Sequence, residues 1–302
     1  MDIKKTLGAL GLVVGLSAGE AWSAMELAPP SPPPIKIGGF LQSWLVAGNA
    51  IPSTVVGKQY KLSGDLLRHF RVRFQADPIP GVSVIMIPEL TAGAFTLLDG
   101  YATLDAQQVF LGETTPGELT FTVGQFKTPF GLNRMYTPPQ LTAAEYSHVS
   151  AKTFGSTTFW DAGLMATYKG KLFRLDAATV KGLGPNQFAG PFNLSTNQDY
   201  CARLEVPLMD GQLVVGGSYY YGKHFSTPGT QGFTIPRHWF GAFFKLKGLP
   251  KTYEVEAEIL SRNVEDLSVG EMFGFSAMAS FWLTGSLQPF LIYEYGENRL
   301  NW

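Results

Sequence analysis

Residues 252–262, Thr-Tyr-Glu-Val-Glu-Ala-Glu-Ile-Leu-Ser-Arg, decide how the rest of the chain is read. Side chains of an extended strand alternate between two faces. Tyr253, Val255, Ala257 and Ile259 therefore share one face, and Glu254, Glu256 and Glu258 the other. Three carboxylates at period two cannot form a buried sheet face, because unpaired charges are too costly to desolvate. They fit a water-filled interior or the solvated side of a soluble sheet. Residues 66–77 repeat the pattern with opposite charge: Phe70, Val72, Phe74 and Ala76 oppose His69, Arg71, Arg73 and Gln75. In 238–247, Phe240, Ala242, Phe244 and Leu246 oppose Gly241, Phe243, Lys245 and Lys247. In 200–208, Tyr200, Ala202, Leu204, Val206 and Leu208 oppose Cys201, Arg203 and Glu205.

Composition narrows the class. Of 302 residues, 45% are hydrophobic and only 16% charged, against roughly 25% charged in ordinary soluble domains. That much apolar material excludes a disordered chain. A net charge of −1 excludes a generic nucleic-acid binder, which carries a basic excess. The single Cys201 excludes an internal disulfide framework and a cysteine-rich metal site. The mean hydropathy of +0.05 makes the membrane the first question.

The N-terminus reads as export. Two lysines within Met1–Lys5 precede the uncharged run 6–19, and Ala21-Trp22-Ser23 offers small residues at a cleavage site. This is the order of a secretory signal peptide, expected over residues 1–23. Residues 24–34 follow as a Pro-rich, stiff extended linker, and 35–302 remain for a single β-barrel domain. Two uncharged runs, 37–57 and 272–293, are long enough to test as spanning helices. Both are broken by glycine, proline and polar residues, among them Gly38, Pro52, Gly285 and Pro289. The other structure that can cross a bilayer is a closed β-barrel, whose backbone groups pair with one another.

Its signature, ~10-residue alternating segments separated by turns, recurs about thirteen times, near 35–47, 66–77, 82–90, 97–106, 119–128, 161–169, 172–182, 199–208, 212–223, 237–247, 252–262, 270–283 and 286–296. Short connections at 168–171, 209–212 and 247–251 alternate with long ones at 128–160, 183–199 and 225–236, as in bacterial outer-membrane barrels. The fold expected is an all-β, transmembrane, antiparallel up-and-down β-barrel of about 12–16 strands. An odd count conflicts with the even numbers usual in such barrels. Either one segment is misread, or the chain is incomplete at its C-terminus. Trp44, Tyr219–Tyr221, Trp239, Tyr253 and Trp282 suit the aromatic girdles of the membrane interfaces.

The run Gly124-Gln125-Phe126-Lys127-Thr128-Pro129-Phe130-Gly131-Leu132-Asn133 resembles a motif of the phosphate-selective porin O and P family. Leu67–Phe74 is similar to that family's Arg-rich strand, and Asp99-Gly100-Tyr101 to its Asp-Ala-Tyr strand, in the family's order. Asn133 stands where the family usually has Glu. The likeness covers roughly residues 35–185 of a chain shorter than most members. It implies a homotrimeric channel in the outer membrane of a bacterium, with a constriction loop folded inward after the motif. Membrane lipid and small ions or solutes are the partners it implies.

The motif's own residues support the inward turn. Pro129 ends ladder pairing and Gly131 permits a tight bend. Phe121 and Val123 face lipid, so strict alternation aims Lys127 at lipid also; a bulge at Gly124 is expected to turn it inward. The pore-lining or constriction residues expected are Arg71, Arg73, Lys127, Arg134, Lys245, Lys247, Glu254, Glu256 and Glu258. Arg71 and Arg73 facing Glu254–Glu258 are expected to set a transverse field. A wet lumen is expected to tolerate Glu256→Arg, whereas Ala257→Arg would place a charge in lipid. Inward-facing acids and bases balance, so phosphate selectivity does not follow from charge excess.

No catalytic set is visible. Gly15-Leu16-Ser17-Ala18-Gly19 matches a nucleophile pattern by chance, inside the leader. The four histidines have no metal-ligand spacing, and Asn193-Leu194-Ser195 is a sequon by composition only. The chain is expected to be no enzyme and to use no cofactor, no metal and no nucleic-acid partner. Passive diffusion of small ions or solutes, with anions such as phosphate among the candidates, is the activity read from the sequence. The competing reading is a structural or adhesive barrel with a plugged lumen.

Overall fold

The computed structural model describes residues 12–17, 25–26, 35–47, 65–91, 94–110, 117–143, 146–154, 160–182, 198–225, 234–248, 252–264, 271–283 and 287–299. The linker apart from 25–26, the sequon at 193–195, Trp302 and most of the leader lie outside these residues.

Among the described residues, thirteen strands follow the linker. They are β1 (Ile35–Ala47), β2 (Asp65–Ile79), β3 (Val82–Thr91), β4 (Ala94–Asp105), β5 (Glu118–Lys127), β6 (Trp160–Lys169) and β7 (Arg174–Val180). The others are β8 (Asp199–Leu208), β9 (Leu213–Phe225), β10 (Thr234–Lys247), β11 (Tyr253–Val264), β12 (Glu271–Phe281) and β13 (Phe290–Arg299). Each pairs antiparallel with its sequence neighbours, so the sheet is a continuous meander. Every segment expected from the alternation forms a strand. One consequence is that β1 and β13 run in the same direction. Leu12–Ser17 and Met25–Glu26 pair antiparallel with β1 along its other edge.

The two faces of the sheet differ in the way period two requires. Phe70, Phe240, Leu204, Ile259, Phe273 and Tyr293 are exposed on one face, while His69, Arg71, Arg203, Glu256 and Glu258 are buried on the other. In a soluble sheet the apolar side would be covered and the charged side wet. Here the arrangement is inverted, as it is for a wall standing in lipid. A short helix, α1 (Ala106–Phe110), follows β4, and the charged face is covered by residues 128–154, which leave the wall after β5 and carry helix α2 (His148–Phe154). The sheet curls round this segment: it touches β8, β9 and β11 by hydrogen bonds and β12 through Val149. No helix among the described residues is long and apolar enough to cross a membrane.

Two expectations need correction. Trp239 and Tyr220 are not girdle residues. They are buried on the inner face, stacked with ring centroids 4.3 Å apart. Trp239 shares its parity with Gly241 and Phe243, so the alternation already placed it inside. Tyr219, Tyr253 and Trp282 are exposed. The bulge expected at Gly124 is absent, because the ladders of β5 run unbroken on both sides. The irregularity lies in the neighbouring β3–β4 ladder, where Leu98 is skipped between the pairs Ile87↔Asp99 and Pro88↔Leu97. Gln125 Nε2 donates to the carbonyls of Leu97 (2.5 Å) and Leu98 (2.8 Å), satisfying groups that no strand pairs there. Gly124 itself has φ +124°, and a Cβ there would stand 2.3 Å from the Gly100 carbonyl oxygen.

Candidate functional site

The site is the contact between residues 128–154 and the charged inner face. β5 ends with Lys127 paired to Trp160. Thr128, Pro129 and Phe130 then cross the interior, all nearly inaccessible to solvent. Pro129 can donate no ladder hydrogen bond, so departure here leaves no ladder donor orphaned. Phe130 packs with Phe126, Val149, Val180, Tyr220, Trp239 and Leu260 in the main apolar core.

Gly131 fixes the docking point. Its φ is +68°, which glycine reaches without strain. Its N–H donates to Ser218 Oγ on β9 (2.9 Å), and its carbonyl accepts from Arg203 Nε on β8 (2.6 Å). A Cβ would fall 2.3 Å from Glu258 Oε1. That carboxylate accepts the Leu132 N–H at 2.5 Å from β11. A 3-10 turn, Asn133–Met135, follows. Arg134 within it is 1% exposed, and its Nη2 donates to Thr128 Oγ1 at 3.2 Å. Burial pulls its guanidinium down to about 9, which still leaves it charged at neutral pH.

Tyr136 makes the second anchor. Its hydroxyl donates to Glu256 Oε1 (2.6 Å) and accepts from Lys245 Nζ (2.5 Å). Burial, and then the Glu256 carboxylate, push this phenol well above its ordinary value, so it stays protonated. Its carbonyl accepts from Lys127 Nζ (2.5 Å) and Tyr146 OH (2.9 Å). α2 returns along β12, where Gly274 leaves room for Val149; a Cβ there would lie 2.2 Å from Val149 Cγ1.

The expected site residues fall into two groups. Glu254, Glu256, Glu258, Lys245, Lys247 and Arg134 lie on the side of β10–β11. Lys245 bridges Glu254 (2.5 Å) and Glu256, and exposed Lys247 approaches Glu254 at 3.6 Å. Arg71, Arg73 and Lys127 lie on the side of β1–β4. Arg71 pairs with Glu89 at 2.7 Å, and His69 Nδ1 meets the same carboxylate at 2.6 Å. Lys127 stands 4.9 Å from the Trp160 ring centroid and 5.6 Å from that of Tyr146. The basic and acidic strands thus neutralise themselves with local partners, and the transverse field expected between them is largely cancelled.

Two gaps flank the segment. One lies against β1–β4 and is bounded by Phe40, Arg71, Arg73, Asp99, Lys127 and Thr137, among others. The other lies against β11–β13, with Leu132, Tyr136, Ser147, Glu258, Met278 and Glu294 among the residues of its wall. Sequence reasoning missed Glu89, Asp99, Tyr136 and Trp160 as members of this site. The Leu98 irregularity reorganises the region round Asp99, which no period reports. Tyr136 sits in a segment without any period.

No family model matches the chain, and no curated protein matches it. Solved structures do. The outer membrane channel DcaP of Acinetobacter baumannii superposes with a TM-score of 0.56 at 13% identity, over 90% of this chain and 81% of that one. A loop L8 deletion mutant of OmpT, an outer membrane protein of Vibrio cholerae, gives 0.49 at 12% identity, over 95% and 82%. The likeness to DcaP is one of fold.

Proposed function

We propose that this protein is a narrow channel of the bacterial outer membrane, in which residues 128–154 form the constriction. The observation that carries the reading is the inverted sheet: apolar side chains outside, charges inside, and a strand-to-loop segment docked on the charged face. Outward apolar residues are stable only in lipid, and inward charges only where water or partners reach them. The fold shared with DcaP, an outer membrane channel, supports the same assignment. In this reading the wall closes into a barrel and residues 1–23 are removed on export. Removal would vacate the stretch of β1 now paired with Leu12–Ser17. The resemblance to phosphate-selective porins, with the trimer it implies, rests on residues 124–133 and the two upstream strands. Passage is passive diffusion of small ions, with no catalytic step.

Single-channel recording of the purified protein in planar bilayers tests this reading. Discrete conductance steps are expected; their absence from heat-modifiable, correctly assembled protein rejects a channel. The second reading, a structural barrel with a filled lumen, is favoured by the near-complete burial of Phe130, Arg134, Ser150 and Leu260. The same recording separates the two.

A further inference from the structure

Glu258, Ser276 and Glu294 stand in one row across the inner face. Glu258 on β11 pairs with Ser276 on β12, and Ser276 pairs with Glu294 on β13. Neighbouring strands lie ~4.8 Å apart, so two carboxylates flank the short side chain of a serine. All three residues line the gap between residues 128–154 and β11–β13. One oxygen of each carboxylate is inaccessible and has no hydrogen-bond partner: Glu258 Oε2 and Glu294 Oε1. Glu258 as a whole is 3% exposed. Its other oxygen takes the Leu132 N–H, and Arg134 and Arg203 offset part of its charge without bonding the free oxygen. A buried carboxylate oxygen left bare costs the desolvation of a charged acceptor. Such an atom marks a place for a donor or a cation.

The rest of the lining says which. Its third acid, Glu256, is already held by Lys245 and Tyr136. Among the described residues, no lysine, arginine or histidine lines the gap. Thr142 and Ser147 on the segment, with Ser276 on the wall, add neutral oxygens. Charged and neutral oxygens without a competing base are the donor set of a hard cation that sheds its water. Size narrows the class. The free space is about 30 Å³, against ~10–15 Å³ for one water. It admits one or two water-sized particles, and no chain or ring. Among the described residues, no three Asp, Glu, His or Cys side chains converge as a multivalent metal would require. Two carboxylate oxygens beside hydroxyls suit a single positive charge.

We propose that this gap is a binding site for a small monovalent cation such as potassium, held by Glu258 Oε2 and Glu294 Oε1 with hydroxyl oxygens of the segment and of Ser276 around it. Bound there, the ion ties residues 142–147 to β11–β13. The site goes beyond the channel reading, and its occupancy is measured without conduction. A silent protein that binds the ion overturns the channel and leaves the site. A conducting protein that does not bind it overturns the site alone.

Radioactive rubidium, a stand-in for potassium, is equilibrated by dialysis with the purified protein in detergent. Choline chloride holds the ionic strength, and empty micelles are the blank. One saturable site per chain is expected, displaced by potassium chloride and not by choline, which is too large for the gap. Glu294→Gln keeps the shape and removes the charge, and a fall in affinity of about tenfold or more is expected. Ser276→Leu keeps both carboxylates and fills the space between them, and should abolish binding. Lys247→Gln, outside the gap, should bind as wild type does. Assembly of each variant is checked by its heat-modifiable gel shift, and Glu294→Gln decides alone if Ser276→Leu does not assemble. Absence of saturable binding to wild type overturns the site. Wild-type affinity in Glu294→Gln overturns its location. Displacement by calcium at concentrations far below those of potassium overturns the monovalent class.

Discussion

The inner surface of β8–β11 and that of β1–β4 carry similar charges and treat them differently. On β8–β11 the charges hold protein: Glu258 takes a backbone N–H, Arg203 gives to a backbone carbonyl, and Glu256 and Lys245 share a tyrosine hydroxyl. On the side of β1–β4, Arg73 and Asp99 border a gap, and Lys127 at the end of β5 gives to the Tyr136 carbonyl beside it. A count of lumenal charges therefore says little about permeation. What matters is which of them the inserted segment has already used. A buried charge with full partners fixes conformation, whereas a part-exposed one in a narrow space acts on ions.

The largest effect is expected where the docked side is packed. Phe130→Ala should cost about 3–5 kcal/mol, the range for a buried phenylalanine whose site does not collapse. Urea-induced unfolding in lipid vesicles measures it, and a loss below 1 kcal/mol would show that the contact is loose. Ala257→Arg, one residue from Glu256 but on the apolar face, should cost about 2–4 kcal/mol near the midplane. It should lower folding yield into vesicles, and normal yield would place this strand's outer face in water. The tolerance of Glu256→Arg expected from a wet lumen does not survive the structure. The new guanidinium would face Lys245 across the pair Lys245↔Glu256, so impaired assembly is expected from this variant too.

Glu258→Gln keeps an acceptor for Leu132 but not the charge, so a smaller loss of about 1–3 kcal/mol is expected. The fraction of channels with raised conductance should increase as docking weakens. Lys247→Gln is the smallest change. Its side chain is about half exposed, and such a pair is worth below about 1 kcal/mol. Equal effects of Glu258→Gln and Lys247→Gln would erase the distinction between docked and exposed charge.

The strands were legible because period two repeats over ten residues and each face has one environment. Lys127 shows what a local pattern can reach. Its Nζ lies against the Tyr136 carbonyl, but the bulge at Gly124 expected to turn it there is absent, and the irregularity nearby lies at Leu98 in another strand. Sequence has no signal for that, because a bulge is a relation between two strands. The Tyr136–Glu256 contact joins residues 120 positions apart. It depends on how far the loop descends, which packing of Phe130 and Val149 decides. Trp239 was misread for a different reason: the aromatic-girdle expectation overrode a parity that was correct.

The central claim is that residues 128–154 narrow a channel by docking on β8–β12. Single-channel conductance of the Phe130→Ala/Glu258→Ala double variant, beside wild type, tests it most directly. A step conductance clearly above wild type, with frequent transitions between levels, is the result predicted once the segment is released. An assembled double variant with the wild-type conductance would contradict it.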